Sequence, residues 1–328
     1  MQTYTNTASR KNQLSGIDIR GIDRQEWLEL RRGGIGGSDA AALMGASKWA
    51  TPLTVWLDKT GQVGEKPDSE AMRQGRDFED VVARRFSEES GLKVSHVNRI
   101  LIHPEHDWMR ANIDRRVYGT GDGFVGLECK TTSVYNPTDI RGGEIPATYY
   151  WQCQHYMAVT GAPYWYLAIL VLSERFVWHK VQRNDADIDE LIRTEERFWT
   201  ENVLGGMMPE PTGQEGDSAA ITALQGAYRT DSAADLTMLK ADIDALQELK
   251  AQQDELKRQR EMLEQRIKLA MGASTKGHSG RWLIEYKDSS RTTVDSKRLK
   301  TELPDIYTMY SKTSAARTLS IKEDKFNV

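Results

Sequence analysis

Residues 112–132 have the sequence NIDRRVYGTGDGFVGLECKTT, and the fold of the surrounding region depends on this stretch. Apolar and polar residues alternate in two segments, 113–118 and 124–131, and a glycine-rich turn around Gly121 joins them. Short alternating segments with a Gly/Asp loop between them are typical of a β-hairpin. We therefore predict two antiparallel strands connected by a turn centred on Gly121.

The second predicted strand has one apolar face and one charged face. Because successive side chains in a strand point to opposite sides, Glu128 and Lys130 project together. The opposite face carries Val125, Leu127 and Cys129. With the turn centred on Gly121, Asp114 lies directly across from Glu128, with Cβ atoms about 4.5–5.5 Å apart. The hairpin thus brings two carboxylates and a lysine to one surface.

Two carboxylates at this distance repel each other unless a cation lies between them. Mg²⁺ takes carboxylate and carbonyl oxygens as ligands and keeps its other positions for water and phosphate. Lys130 would place a positive charge where a phosphate oxyanion develops during attack. The pattern favours metal-assisted phosphodiester hydrolysis, and the alternative from these residues alone is an ordinary exposed hairpin face.

The composition is that of an ordinary soluble protein, with 28% charged and 39% hydrophobic residues among 328. No apolar run approaches the length of about 18 residues that a membrane span requires, so we expect no membrane partner. The two cysteines, Cys129 and Cys153, are interpreted as buried thiols, and the cytoplasm is the expected compartment. The net charge of −4 is unusual for a protein that binds nucleic acid. Any contact with nucleic acid must therefore use a local basic surface.

A glycine-rich segment, RRGGIGGSDAAALMG at residues 31–45, leads into a predicted helix with Ser38 as its N-cap. Glycine-rich backbone before a helix exposes N–H groups that suit a phosphate. Arg31, or its neighbour Arg32, could add a charge-assisted contact. The alternative interpretation is a tight turn before a helix, without a ligand.

Two further predicted helices carry polar candidates. Residues 70–91 predict an amphipathic helix, with Glu79 at its edge, either directed toward the hairpin or solvated. Residues 147–161 predict a largely buried helix that contains Gln152 and Gln154. Because these two glutamines lie about 200° apart around the helix, they cannot both face one site.

Four ordered motifs together resemble the YqaJ-type viral recombinase family, which is related to phage lambda exonuclease and belongs to the PD-(D/E)XK nuclease superfamily. They are GIGGSDAAALMG, the segment from Gly75 to Glu79, NID…LECKTTS and YYWQCQHYMAVTG, and they fall within residues 24–205.

The resemblance implies metal-binding roles for Asp114, Glu128 and the backbone carbonyl of Cys129, and a catalytic role for Lys130. It matches Glu79 to a glutamate near the metals. It also matches Gln154 to the active-site glutamine of the family, with Gln152 as the other candidate. The residue before Asp114 is Ile113 rather than the proline of the family pattern, which leaves open whether Asp122 assists a second metal. Arg31 and Ser38 match positions that hold the 5′-phosphate of a DNA end in lambda exonuclease.

The fold expected from the motifs is an α/β, restriction-endonuclease-like core, with a mixed central sheet flanked by helices and a C-terminal extension. We predict an N-terminal arm (residues 1–22), a nuclease domain (23–205), a linker (206–233), a long charged helix that resembles a coiled coil (234–272) and a small α+β region (273–328).

The function implied by the resemblance is a Mg²⁺-dependent 5′-to-3′ exonuclease on double-stranded DNA ends, with two metal ions and Mn²⁺ as a substitute. Its 3′ single-stranded product would pass to a phage annealing protein, and the family suggests a homotrimer. The alternatives are an endonuclease on the same core, or a non-catalytic DNA-binding or assembly protein whose long helix is the functional part.

Overall fold

The structure, a computed structural model, describes residues 14–47, 49–64, 68–133, 144–226, 233–313 and 318–321. The chain divides into two compact units, Met1–Thr230 and Asp231–Val328. The elements of the first unit are, in chain order, β1 (Ser15–Asp18), α1 (Arg24–Arg32), α2 (Gly37–Leu43), α3 (Pro52–Lys59), α4 (Glu70–Ser90), β2 (Lys93–His96), β3 (Arg99–Ile102), β4 (Arg110–Asn112), β5 (Arg115–Tyr118), β6 (Val125–Ser133), α5 (Ala147–Thr160), β7 (Tyr164–Leu172), β8 (Arg175–Gln182), α6 (Asp185–Arg197), a π-helical segment (Phe198–Leu204) and α7 (Glu215–Gln225).

A five-stranded mixed sheet forms the centre of this unit. Its strand order is β2-β5-β6-β7-β8, in which β6 and β7 run parallel and the other neighbours are antiparallel. The parallel pair requires a crossover, and α5 provides it on one face of the sheet. The predicted α/β fold with a mixed central sheet flanked by helices is therefore confirmed.

The predicted hairpin is formed by β5 and β6. Arg116 pairs with Gly126 and Arg115 with Leu127, which is the register of a turn centred on Gly121. Gly121 has a φ of 79°, a left-handed conformation that favours glycine. The hairpin prediction is confirmed, and the register places Asp114 one residue before the paired part of β5.

The two faces of the sheet pack against different helices. On one face, Val82 and Phe86 of α4 bury their side chains against Val125 and Leu127 of β6. Each fully buried side chain of this kind contributes about 1.5–3 kcal/mol. On the other face, Trp165 of β7 belongs to the larger core formed with α2, α3, α5 and α6. The alternation along β6 thus directs its apolar residues toward α4 and its charged residues toward α5.

Two of the predicted segment assignments need correction. Residues 15–18, predicted as part of an N-terminal arm, form β1, which pairs with β3 in a three-stranded sheet of order β1-β3-β4. Residues 1–13 of that arm lie outside the described residues. The predicted linker contains α7, and Asp217 of this helix accepts a hydrogen bond from the Thr51 hydroxyl at the start of α3. This buried hydrogen bond holds the segment in place.

The second unit contains the long helix α8 (Lys240–Met271), preceded by a 3₁₀ turn, Thr237–Leu239. It is followed by a two-stranded hairpin of β9 (Lys276–Ser279) and β10 (Trp282–Glu285), and by helices α9 (Ser296–Glu302) and α10 (Pro304–Tyr310). In the part of the chain that the structure describes, no helix combines the length and apolar character needed to cross a membrane.

Candidate active site

Glu128 lies on β6 and faces α5, with only 3% of its surface exposed. Its Oε1 atom lies 2.6 Å from Lys130 Nζ and accepts a hydrogen bond of 2.7 Å from Gln152 Nε2. The second oxygen, Oε2, is buried and has no hydrogen-bond partner among the described residues. A buried carboxylate oxygen without a donor destabilises the fold, so this atom is suited to coordinate a ligand.

Asp114 lies beside Glu128, immediately before β5. Its Oδ2 atom accepts a hydrogen bond of 2.8 Å from the backbone N–H of Cys129. Burial raises the pKa of the Asp114 carboxyl well above its usual value, and the nearby Glu128 and Glu79 raise it further. Lys130 and the Cys129 amide act in the opposite direction. Ionisation of the Asp114 carboxyl in this position is therefore costly unless another positive charge enters the site.

The donor atoms of this site suit a hard divalent cation. In the described ranges, no three His, Cys, Asp or Glu side chains are arranged to hold a metal ion. Asp114 and Glu128 provide two carboxylates, and Mg²⁺ commonly combines one or two carboxylates with carbonyl, water and phosphate oxygens. The unpaired Oε2 atom of Glu128 and the repulsion between the acids are consistent with such an ion.

Lys130 keeps its charge at the edge of the site. Burial lowers the pKa of its ammonium group, but Glu128 and Asp114 outweigh burial, and the pKa rises above its usual value. The ring of Tyr149 lies 5.3 Å from Nζ, within the range of a cation–π contact. About a quarter of the lysine side chain, 24%, is exposed.

Glu79 lies on α4 next to the hairpin, and its carboxylate binds the guanidinium of Arg115. Arg115 is 2% exposed, and it also binds the Asp80 carboxylate and donates to the backbone carbonyl of Asp114. Arg115 is not among the site residues predicted from the sequence. The sequence signal for Arg115 was its position on the side of β5 that faces α4, because a buried arginine there needs an acidic partner from that helix.

The two glutamines of α5 have different environments. Gln152 donates from Nε2 to Glu128 and, at 2.8 Å, to the Tyr156 hydroxyl, so it lies in the site. Gln154 donates to the carbonyl of Gln182 at 2.8 Å and accepts from the amide of Asn184 at 3.1 Å. The preference for Gln154 is corrected, because its amide satisfies backbone groups at the end of β8 and the start of α6.

His155, on the same helix, is completely buried. Its Nδ1 atom lies 2.8 Å from Glu195 Oε1, and its Nε2 atom lies 2.9 Å from the carbonyl oxygen of Arg110. Burial opposes its charge, but the Glu195 carboxylate outweighs burial and raises the pKa of His155. These contacts tie α5 to α6 and to β4, and they leave neither ring nitrogen for a substrate.

A cavity of about 230 Å³ joins the carboxylates to the glycine-rich segment. Arg31 and Ser38 line it together with Asp114, Glu128 and Gln152. The Arg31 guanidinium donates from Nη2 to Ser38 Oγ at 2.8 Å. An arginine and a hydroxyl that converge in one cavity form a candidate anion site.

The glycine-rich segment differs from the sequence prediction in two respects. Arg32 turns away, and its Nε atom lies 3.5 Å from Asp58. Ser38 is not the N-cap: α2 begins at Gly37, and the carboxylate of Asp39 accepts the Gly36 N–H at 2.9 Å. The backbone N–H of Gly36, the residue before the helix, is therefore already satisfied by Asp39.

Asp122 does not join the site. It lies in the hairpin turn, where its carboxylate accepts a hydrogen bond of 2.7 Å from the Tyr164 hydroxyl. It lines a separate groove beyond the other end of α5. Conversely, the cavity of the site includes Trp27 and Asn112, which sequence reasoning did not identify. Asn112 precedes Asp114 by two residues, and side chains two residues apart in an extended chain share a face. This spacing could have placed Asn112 beside Asp114 from the sequence.

Comparison with known proteins gives the family of the chain. The YqaJ-like viral recombinase domain matches residues 26–163. An uncharacterized protein named YqaJ from Bacillus subtilis (strain 168) is 39% identical over 309 residues, which cover 92% of this chain and 95% of that relative.

Among solved structures, the chain is similar to an alkaline exonuclease from Laribacter hongkongensis, at 23% identity and a TM-score of 0.44, over 54% of this chain and 91% of that one. A phage-related exonuclease from Haemophilus somnus 129PT is 12% identical, with a TM-score of 0.38, and covers 55% of this chain and 100% of that one. The identity to the Bacillus relative extends over nearly the full length of both chains. The chain belongs to the YqaJ-like viral recombinase family.

Proposed function

We propose that the protein is a Mg²⁺-dependent exonuclease that digests double-stranded DNA from its 5′ ends. One observation carries this proposal. Asp114 and Glu128, with Lys130 paired to Glu128, open onto the same cavity as the Arg31–Ser38 pair. A carboxylate–lysine centre suited to phosphodiester cleavage therefore lies next to a candidate site for a terminal phosphate.

The residues that would hold the metal are Asp114, Glu128 and the backbone carbonyl of Cys129, with Mn²⁺ as a substitute for Mg²⁺. When bound, the cation supplies a Lewis acid that polarises the scissile phosphate and favours deprotonation of an attacking water. A second ion would draw on Glu79, whose carboxylate must then leave Arg115.

Lys130 and Gln152 act on the same carboxylate oxygen of Glu128 from two directions. Gln152 fixes the orientation of Glu128, because the Tyr156 hydroxyl in turn fixes its amide. Lys130, charged and partly exposed, stabilises negative charge that develops on the phosphate. Since both contacts are present before substrate binds, little reorganisation is needed during the reaction.

The Arg31–Ser38 pair would bind the 5′-phosphate of the DNA end. A guanidinium that is pre-positioned by a hydroxyl makes a strong, directional contact with a phosphate. Anchoring the end beside the carboxylates favours hydrolysis of nucleotides from that end over internal cleavage. This contact is the feature that supports an exonuclease over an endonuclease.

The proposed product and assembly rest on the family resemblance, and the geometry of the site does not enter into them. A viral recombinase that removes the 5′ strand leaves a 3′ single strand, which suits a phage annealing protein as partner. We further propose that the protein acts as a homotrimer in the host cytoplasm. Such an assembly would have to concentrate basic side chains around the DNA, because the chain has a net charge of −4.

The deciding experiment is digestion of linear duplex DNA labelled at either the 5′ or the 3′ end, with Mg²⁺, with Mn²⁺ and with EDTA. We expect metal-dependent shortening of the strand from its 5′ end, and no cleavage of covalently closed duplex. Cleavage of closed DNA would identify an endonuclease. Intact DNA in both metals, from folded protein, would favour a binding or assembly protein.

Arg31→Ala tests the end-binding role, and Arg32→Ala is its matched control because the neighbouring arginine pairs with Asp58. We expect Arg31→Ala to slow digestion of 5′-phosphorylated ends selectively, by about tenfold or more, on the scale of one charge-assisted contact. Arg32→Ala should keep the preference of the wild type. Equal slowing of 5′-phosphorylated and 5′-hydroxyl ends by Arg31→Ala would refute the phosphate site.

A further inference from the structure

Lys59, at the C-terminal end of α3, has a completely buried side chain. Its Nζ atom lies 2.7 Å from Asp39 Oδ2 and 3.4 Å from the backbone carbonyl of Arg31. Burying an ammonium group is costly unless it is paired and hydrogen-bonded. The geometry therefore ties Lys59 to the segment that presents Arg31.

Asp39 is the acid that Lys59 binds, and it lies close to the candidate phosphate site. Its Oδ1 atom is 4.0 Å from Arg31 Nη2, and its Oδ2 atom also accepts the Gly36 N–H. Burial opposes ionisation of Asp39, but Lys59 and Arg31 outweigh burial and lower the pKa of its carboxyl. An ionised carboxylate is thus present beside the arginine that would bind a phosphate.

The balance of charge in this cluster decides whether an anion can bind. Asp39 carries one negative charge, and Lys59 and Arg31 carry one positive charge each. Asp58, whose Oδ2 atom lies 4.0 Å from Lys59 Nζ, is balanced by its own partner Arg32, so the cluster keeps a net charge of +1. Without Lys59 the net charge is zero, and the carboxylate of Asp39 would compete with a phosphate for Arg31. The same carboxylate would attract the guanidinium away from Ser38, its present hydrogen-bond partner at 2.8 Å.

We infer that Lys59 is a positioning residue for end recognition: it neutralises Asp39 and thereby leaves the Arg31 guanidinium, held at Ser38, available to a terminal phosphate. This inference rests on the proposed role of the Arg31–Ser38 pair as the phosphate site. Lys59 acts from the protein interior, and it sets the preference for a phosphorylated end without touching the DNA.

The test uses full-length protein and measures kcat/KM on linear duplexes that differ only in a 5′-phosphate or a 5′-hydroxyl. Binding of the two duplexes in EDTA, followed by fluorescence anisotropy, gives a second readout that does not depend on cleavage. Lys59→Met keeps the length of the side chain and removes its charge. We expect it to reduce the preference for the phosphorylated end by about tenfold or more, mainly through KM.

A second substitution restores the charge balance. Asp39→Asn removes the negative charge and keeps an oxygen that can accept the Gly36 N–H. In the Lys59→Met/Asp39→Asn double variant the net charge is again +1, so the preference should return to within about twofold of the wild type. Asp39→Asn alone should not reduce the preference. Should Lys59→Met fail to fold, as judged by circular dichroism, the double variant and Asp39→Asn carry the test.

Asp217→Asn is the matched control, because Asp217 is 2% exposed and holds the other end of the same helix through Thr51. It should lower stability and leave the end preference unchanged. A Lys59→Met protein that keeps the wild-type preference, or a double variant that does not regain it, overturns the inference. If the wild type itself does not distinguish the two ends, the proposed phosphate site fails instead.

Discussion

Gln152 and Gln154 offer a sharp test of the proposed site, because they are two residues apart on α5 and are both buried. Each makes two hydrogen bonds through its side-chain amide. Only those of Gln152 involve side chains of the site. We predict that replacing either glutamine with methionine, which has a similar size, lowers stability by a similar amount, but that only the replacement of Gln152 lowers activity.

The stability loss follows from the lost hydrogen bonds. Gln152→Met leaves Glu128 and the Tyr156 hydroxyl each without one partner, whereas Gln154→Met leaves a carbonyl and an amide of the backbone unpaired. An unsatisfied buried group costs about 1–3 kcal/mol, so each variant, with two groups affected, should lose roughly 2–6 kcal/mol. At about 2–4 °C per kcal/mol for a unit of this size, Tm should fall by roughly 4–24 °C in both.

The activity is expected to separate the two variants. Removing a group that orients a catalytic or metal-binding carboxylate usually reduces activity by about 10–100-fold. Gln152→Met should therefore lower kcat on 5′-phosphorylated duplex by this factor, whereas Gln154→Met should retain kcat at temperatures where it is folded. The assay is steady-state release of nucleotides at 20 °C or below, alongside Tm from differential scanning fluorimetry. Equal losses of kcat in the two variants, or a loss confined to Gln154→Met, would refute the assignment.

Three further predictions concern the same core. Lys130→Ala should retain binding of duplex DNA and abolish cleavage, and retained cleavage would remove this lysine from the mechanism. Because the pKa of Asp114 is raised, the contribution of its carboxyl to the stability of the metal-free protein is fully present below the usual pKa of 3.8 and is lost as pH rises toward the raised value. Asp114→Asn should remove this contribution to the slope of Tm against pH in EDTA, and parallel curves for the variant and the wild type would contradict the reasoning. Gly126→Ala would place a Cβ atom 2.0 Å from the completely buried Trp165 ring and should lower the free energy of unfolding by about 3 kcal/mol or more. Gly75→Ala on α4 meets nothing within 4 Å and should raise the free energy of unfolding by about 0.5–1 kcal/mol. Urea unfolding of both variants measures these changes.

The β-hairpin could be predicted from the sequence because its determinants are local. Alternation of apolar and polar residues fixes which side chains share a face, and the glycine with positive φ fixes the turn. These two features place Glu128 and Lys130 on one face and bring Asp114 beside them. The four-motif resemblance similarly depends on residue order and spacing, which a sequence contains in full.

The choice between the two glutamines could not be made in the same way. Helical geometry shows that Gln152 and Gln154 face different directions, but not which direction faces the sheet. That depends on how α5 packs against β6 and β8, and its aromatic residues on most sides give no preferred apolar stripe. The resemblance favoured Gln154, and the packing of the helix places Gln152 in the site.

The segments outside the core show the same limit. Residues 15–18 are polar enough to suggest a loose arm, and the linker region is rich in small residues. Strand β1 exists because it pairs with β3, more than 80 residues later, and α7 is held by the Thr51–Asp217 hydrogen bond. Neither contact leaves a periodic signal in its own segment.

By itself, the sequence determined the family, the mixed α/β fold and the hairpin that carries the carboxylates and the lysine, since these follow from short-range periodicity and ordered motifs. Only the tertiary structure decided which buried charges meet: Arg115 with Glu79, Lys59 with Asp39, and His155 with Glu195. The physical reason is that a buried charge is stable only beside a partner, and the partner comes from another element whose position is set by packing of the whole core.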